Sequence, residues 1–133
     1  MKYFTIEELC RSAKAEAMRI DNTPTRDAVM SLETLVECVL DPLREAYGKP
    51  IIVNSGYRSV PLNKAVGGAR NSQHTKGEAA DITVGSKEGN QWLFNYIRDH
   101  LDYDQLIDEY DYSWVHVSYD ACRCNRREII HER

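Results

Sequence analysis

Residues 72–82 read SQHTKGEAADI, and the predicted site and fold depend on this segment. His74 and Asp81 lie on either side of Gly77, which lets the backbone turn sharply between them. Asp81 follows two alanines and precedes Ile82, so a carboxylate is placed inside an apolar strand. A buried carboxylate is costly unless it is paired or bound to a metal. Taken alone, the histidine and the aspartate are compatible with a structural ion pair or with part of a metal site.

A later histidine, His116, favours the metal site. It lies in WVHVSY, residues 114–119, where alternation sends the two valines to the core face and His116 to the opposite face. Two imidazoles and a carboxylate can hold a zinc ion while one coordination position stays open. The sequence therefore predicts a site for one zinc ion, with these ligands: His74, Asp81 and His116.

The strand before His116 offers a candidate general base. Pairing of Tyr110 with Val115 around a four-residue turn would place Glu109 directly across from His116. Cross-strand neighbours have Cβ atoms roughly 4.5–5.5 Å apart, so Glu109 would reach a water on the metal. A slip of one residue would turn Glu109 to the other face. The flanking acids would then become the candidates, Asp108 and Asp111.

The first 48 residues are predicted to form a helical scaffold. Thr5 and Glu8 have the form of a capping box, which predicts a helix over residues 6–12. A long amphipathic helix is predicted over residues 25–47, with a kink near 38–41 caused by Pro42 and an end at Gly48.

The remaining residues alternate between strands and helices. Residues 49–120 form the predicted metal-site core, with strands at 51–53, 79–84, 105–110 and 114–119 and helices at 61–66 and 87–101. The charged tail, 121–133, is predicted to be peripheral. This order predicts one small α+β domain, 1–133, in which an antiparallel sheet packs against helices.

Composition excludes several classes of protein. A chain of 133 residues is long enough for one core. Its net charge of −4 gives no reason to expect nucleic-acid binding, and no apolar run approaches the roughly 20 residues of a membrane span. The N-terminus becomes charged too early for a signal peptide, so we expect a protein that is cytoplasmic as synthesised, with its four cysteines reduced.

Four motifs together resemble the M15 family of zinc D-Ala-D-Ala peptidases, and most of all its short M15A-like members from phages and prophages. They are SGYRS at 55–59, SQHTKGEAADI at 72–82, QLIDEY at 105–110 and WVHVSY at 114–119. The resemblance implies a hedgehog/D-Ala-D-Ala peptidase-like fold and the zinc ligands given above. It also implies that Arg58 contacts the substrate or the developing oxyanion, and that Ser72 and Gln73 bind substrate beside the first ligand.

The activity implied by the resemblance is hydrolysis of D-amino-acid peptide bonds in peptidoglycan, by a monomer that reaches the cell wall after lysis or in a virion. Carboxypeptidase and endopeptidase both remain open. Several family members place the base three residues before the last histidine, where this chain has Ser113. Glu109 resembles the acidic residue of the phage-type branch, with Asp111 in reserve. The alternative is a zinc-containing wall-binding or virion module without turnover.

Overall fold

A five-stranded sheet organises the chain, of which the computed structural model describes residues 1–132. The strands are β1 (Ile52–Ser55), β2 (Ala79–Thr83), β3 (Gln105–Glu109), β4 (Trp114–Ser118) and β5 (Glu128–Glu132). Their order across the sheet is β1-β2-β4-β3-β5. Neighbouring strands are antiparallel except β3 and β5, which are parallel. The predicted α+β class is confirmed, with one parallel pair at an edge of the sheet.

The helices are α1 (Ile6–Cys10), α2 (Ala13–Met18), α3 (Arg26–Leu35), α4 (Asp41–Tyr47), α5 (Val60–Ala65) and α6 (Lys87–His100). A π-helical turn, Val36–Leu40, joins α3 to α4, and in it the Asp41 N–H bonds to the Val36 carbonyl five residues back. Pro42 follows and has no N–H to give, so the predicted interruption of the long helix lies here. Among the described residues no helix is long and apolar enough to cross a membrane.

The N-terminal segment differs from the prediction in its second helix. Thr5 caps α1 as expected, since its Oγ1 accepts from the Glu8 N–H at 3.1 Å. However, α1 ends at Cys10, because the Ser12 hydroxyl caps a new helix by accepting from the Ala15 N–H at 3.1 Å. Residues 13–18 thus form a second short helix, α2, which the sequence did not predict.

The two faces of the sheet have different roles. Leu106, Val115 and Val117 are fully buried and join the core that α3, α4 and α6 complete. In β2 the same face carries Ala80 and Ile82, which are also fully buried. The alternating residues stand on the opposite face, where the predicted site lies.

The turn between β3 and β4 sets the register beside the site. Glu109 pairs with Trp114, and Ile107 pairs with His116. The predicted register, with Glu109 directly across from His116, is therefore wrong by two residues. Residues 110–112 have φ values of 50, 56 and 62°, a left-handed turn that ends β3 at Glu109. Because side chains alternate with a period of two, the shift leaves Glu109 on the same face as His116.

The C-terminal tail contributes the strand β5, which the sequence did not predict. The Tyr110 N–H donates to the Glu132 carbonyl at 2.8 Å, and Nδ1 of His131 lies 2.7 Å from Oδ2 of the buried Asp108. The tail is therefore an edge of the sheet and not a detached segment. Ile129 and Ile130, with charged residues on either side, gave too weak a pattern to indicate a strand.

The four cysteines all lie in the described part of the chain and are free. Burial raises the pKa of the Cys10 thiol to about 11, as expected for a thiol that serves in packing. Cys38 is exposed.

Candidate metal centre

Strands β2 and β4 bring two of the predicted ligands together. Asp81 and His116 are direct partners in the antiparallel ladder. Nδ1 of His116 lies 2.9 Å from Oδ1 of Asp81. Both side chains stand on the face opposite the core, where alternation along the strands places them.

A short 3₁₀-helix, Gln73–Lys76, carries His74 to the same place. Oγ of Ser72 caps this helix by accepting from the His74 N–H at 3.2 Å. Gly77 ends it with a φ of +73°, and a Cβ at this position would lie 2.4 Å from the Ala28 carbonyl oxygen. Glycine is thus required both by the left-handed backbone and by the close approach of α3.

The three side chains converge on one small volume. One possible ligand atom from each of His74, Asp81 and His116 lies within 4.8 Å of the other two. Nε2 of His74 is 3.4 Å from Oδ2 of Asp81. On the other side of the ring, Nδ1 of His74 lies 2.7 Å from the Gly56 carbonyl oxygen. A carbonyl only accepts, so this bond fixes the proton on Nδ1 and leaves the lone pair of Nε2 for a metal.

Asp81 is held in its ionised form. Burial opposes its ionisation, but the neighbouring imidazoles of His116 and His74 outweigh burial and keep the pKa of the carboxyl well below its usual range. Two imidazole nitrogens and one carboxylate oxygen, with room for a further ligand, are typical of catalytic zinc sites. The residues present therefore fit a zinc ion.

Arg58 lies in the cleft of about 710 Å³ that the three candidate ligands line. Its backbone N–H donates to the His74 carbonyl at 3.0 Å, which ties the SGYRS loop to the 3₁₀-helix. Burial lowers the pKa of the guanidinium, and the charges of Asp81 and Glu109 oppose that shift. Its Nε is buried and has no partner among the described residues. The group is therefore a cation with a free donor, held beside the candidate metal centre.

Glu109 lines the same cleft from β3 and is half-buried. Burial raises the pKa of its carboxyl, the negative charge of Asp81 raises it further, and His116 acts in the opposite direction. The indole of Trp114 also faces this carboxyl and lowers its pKa, although Trp114 Nε1 makes no hydrogen bond of normal geometry within residues 1–132. Glu109 thus binds a proton more readily than a solvent-exposed glutamate does.

The structure separates the other predicted site residues. Ser72 and Gln73 line the cleft, and Nε2 of Gln73 donates to Oε1 of Glu78 at 3.3 Å. Asp111 is not brought to the cleft, because it lines a separate recess at the start of α6 and pairs with Lys87 at 2.7 Å. The geometry therefore favours Glu109 over the reserve base.

Two asparagines that support the site were not predicted from the sequence. Asn22 bridges the N-terminal segment to the SGYRS loop, and nothing in its loop sequence distinguishes it from an ordinary turn residue. Asn90 is 1% exposed and fixes the turn after Glu109 from the buried side of α6. Its spacing to Leu93 and Ile97 puts a polar residue on the apolar stripe, and this signal was available in the sequence.

Fold and site together define a small α+β domain with a candidate His-Asp-His zinc centre in an open cleft. Residues 2–118 match the model of the peptidase M15 family, and the chain belongs to that family. It is similar to the zinc D-Ala-D-Ala carboxypeptidase of Streptomyces albus G, with 55% identity over 49 residues. That match covers 36% of this chain and 19% of the Streptomyces protein, so the chain spans about a fifth of the length of this curated relative.

Proposed function

We propose that this domain is a zinc-dependent peptidase that hydrolyses D-amino-acid peptide bonds of peptidoglycan, as a carboxypeptidase or an endopeptidase, with one zinc ion. The observation that carries the proposal is the convergence of three candidate ligands, a guanidinium and a half-buried glutamate on one cleft. Membership of the peptidase M15 family supports the reaction class. The name of the Streptomyces relative supports a substrate built from D-amino acids.

The metal-binding part of the proposal assigns one atom to each ligand. His74 would contribute Nε2, Asp81 a carboxylate oxygen and His116 its Nδ1. When bound, zinc supplies Lewis acidity, which polarises a carbonyl and lowers the pKa of a coordinated water towards about 7. The Gly56 carbonyl holds the His74 ring in the orientation that this role needs.

Glu109 has the role of general base and acid. Its carboxylate accepts a proton from the attacking water as the oxygen bonds to the carbonyl carbon. It then returns a proton to the leaving nitrogen as the C–N bond breaks. A raised pKa suits a group that must both take and give a proton near neutral pH.

Arg58 has the role of binding negative charge. Its fork of donors can hold the developing oxyanion or a substrate carboxylate. The guanidinium forms no salt bridge among the described residues, so it can bind negative charge without breaking an existing ion pair. The side chain of Trp114 lines the same cleft.

The origin and the route to the substrate are proposed on the motif resemblance alone. We assign the domain to the phage and prophage branch of the family. There it would act as a monomer that is made in the cytoplasm and meets the cell wall on lysis or from a virion.

Metal content is the first test. The purified protein is expected to contain about one equivalent of zinc by elemental analysis, and His116→Ala is expected to lose it because one of three ligands is removed. His100→Ala is the matched control, since His100 lies at the end of α6 and outside the cleft. A wild-type protein without zinc, purified at neutral pH without chelator, would refute the proposed centre.

Hydrolysis is the second test, read by mass spectrometry of stem-peptide fragments. Glu109→Gln is expected to retain zinc and to lower the rate roughly 10²- to 10⁴-fold, the usual range for a general base. Full activity of this variant would remove Glu109 from the mechanism. If the zinc-loaded wild type binds peptidoglycan and cuts no bond, the domain is the non-catalytic wall-binding module instead.

A further inference from the structure

A second recess adjoins the site cleft at Arg58. It has a volume of about 520 Å³ and shares Arg58, Val66 and Asp81 with the cleft. Its outer wall includes residues 11–14, for which the sequence predicted only a scaffold role. The recess and the cleft are therefore contiguous and form one groove, with Asp81 of the candidate metal centre at their boundary.

The outer wall of the recess is held firmly against the SGYRS loop. The Tyr57 N–H donates to the Leu9 carbonyl at 2.8 Å. Nδ2 of Asn22 donates to the Cys10 carbonyl at 2.8 Å, and its Oδ1 accepts from the Ser59 N–H at 2.7 Å. These bonds lie directly before residue 11 and on both sides of residue 58. The recess is thus formed before any ligand binds, which lowers the entropic cost of binding.

The recess is basic, although the chain as a whole carries a net charge of −4. Its charged lining consists of Arg11, Lys14 and Arg58 against Glu8 and Asp81. The charge of Asp81 is already engaged by the two histidines. Within residues 1–132 neither Arg11 nor Lys14 forms a salt bridge, so both cations are available to a ligand.

The recess is also large. Sites that hold drug-sized ligands have volumes of roughly 300–1,000 Å³, and a single alanine is far smaller than such a ligand. The recess and the cleft, at about 520 and 710 Å³, both fall in this range. Whichever of them receives the C-terminal side of the substrate, it has room for more than the one terminal residue that a carboxypeptidase must hold.

We infer that this recess is a subsite for an acidic segment of the peptide substrate, and that the groove binds a peptide chain on both sides of the scissile bond, as an endopeptidase does. The inference rests on the proposed function and decides between its two forms. Substrate carboxylates pair with Arg11 and Lys14 at the rim, while Arg58 and the candidate metal centre hold the bond to be cut. The N-terminal segment thereby becomes part of the substrate site.

Chain extension tests the endopeptidase part. The zinc-loaded protein is given three synthetic stem peptides of one sequence ending in D-Ala-D-Ala: the free acid, the C-terminal amide and a form extended by two residues. We expect kcat/KM values within about tenfold of one another, because the groove does not require a terminal carboxylate. A loss of more than a hundredfold on amidation and extension would overturn the inference and leave the proposed peptidase intact. If none of the peptides is cut, the proposed function fails, and the binding measurements decide the subsite.

Charge removal tests the acidic subsite by isothermal titration calorimetry. The probes are a stem peptide with D-glutamate and the same peptide with D-glutamine at that position. The double variant Arg11→Gln/Lys14→Gln is expected to bind the D-glutamate peptide roughly threefold to tenfold more weakly, the range expected when exposed ion pairs are lost. Its binding of the D-glutamine peptide should change by less than twofold.

The control removes the same charge elsewhere. Arg26 and Lys49 are exposed and lie outside both recesses, so Arg26→Gln/Lys49→Gln should bind both peptides as the wild type does. Equal affinity of wild type and Arg11→Gln/Lys14→Gln for the D-glutamate peptide would overturn the subsite. So would an equal weakening by the control variant, because the effect would then come from net charge alone.

Discussion

Replacement of Asn90 by alanine is expected to destabilise the domain far more than the same replacement of an exposed polar residue on α6. The side chain is 1% exposed. Its Oδ1 accepts from the Val84 N–H at 2.8 Å, and its Nδ2 donates to the carbonyls of Tyr112 and Ser113 at 2.9 and 3.1 Å. One amide thus joins α6, the end of β2 and the left-handed turn that follows Glu109.

The magnitude follows from these three bonds. A hydrogen bond contributes about 0.5–1.5 kcal/mol net, so the loss of all three lowers the free energy of unfolding by about 2–4 kcal/mol. The better helix propensity of alanine returns only about 0.5 kcal/mol. For a chain of this length the midpoint of thermal unfolding should fall by roughly 8–16 °C. The turn that fixes the register of Glu109 loosens at the same time.

The assay is urea unfolding of the metal-free protein, because bound zinc would add its own stabilisation. Gln91→Ala is the matched control: Gln91 is the next residue of α6 and is exposed, so the substitution should change the free energy of unfolding by less than about 0.5 kcal/mol. A loss below about 1 kcal/mol for Asn90→Ala, or a loss equal to that of the control, would refute the reasoning.

Two further substitutions test the tail and the glycine turn. Hydrogen bonds from Arg126 hold the pKa of the buried Asp104 below its usual range, with burial opposing. Its stabilising contribution is therefore present above the unfolded-state pKa of about 3.9 and is lost as the pH falls through the lower folded-state pKa. Asp104→Asn should cost about 1–2 kcal/mol at pH 7, and the difference from wild type in urea unfolding should close towards pH 3. Gly77→Ala should cost about 3 kcal/mol, since it adds a clash with the Ala28 carbonyl to a left-handed φ, whereas Gly48→Ala, which meets nothing within 4 Å, should cost about 1 kcal/mol.

Each of these two predictions has its own contrary result. A difference between wild type and Asp104→Asn that stays constant from pH 7 to pH 3 would show that the ion pair is not the cause. Equal losses for the two glycine variants would show that the close approach at Gly77 does not matter, and that the backbone angle alone requires glycine there.

Local patterns in the sequence were enough to predict the elements that carry the site. The stripe of the long helix, the Pro42 interruption and the Gly48 end depend on residues within a few positions of one another, and the structure has all three. The same holds for the placement of His116, because strand alternation is a local property. Gly77 between a polar stretch and a strand likewise indicated the turn that delivers His74.

How these elements meet depends on contacts between residues that are far apart in the sequence. The ladder joins Asp81 to a histidine 35 residues away, and the hairpin register depends on a left-handed turn that Asn90 fixes from another helix. Neither strand β5 nor the basic wall at residues 11–14 has a sequence pattern that predicts it. Each depends on contacts with residues that are distant in the sequence. Periodicity in the sequence shows which face of its own helix or strand a side chain occupies. Long-range hydrogen bonds and packing decide which other element that face contacts.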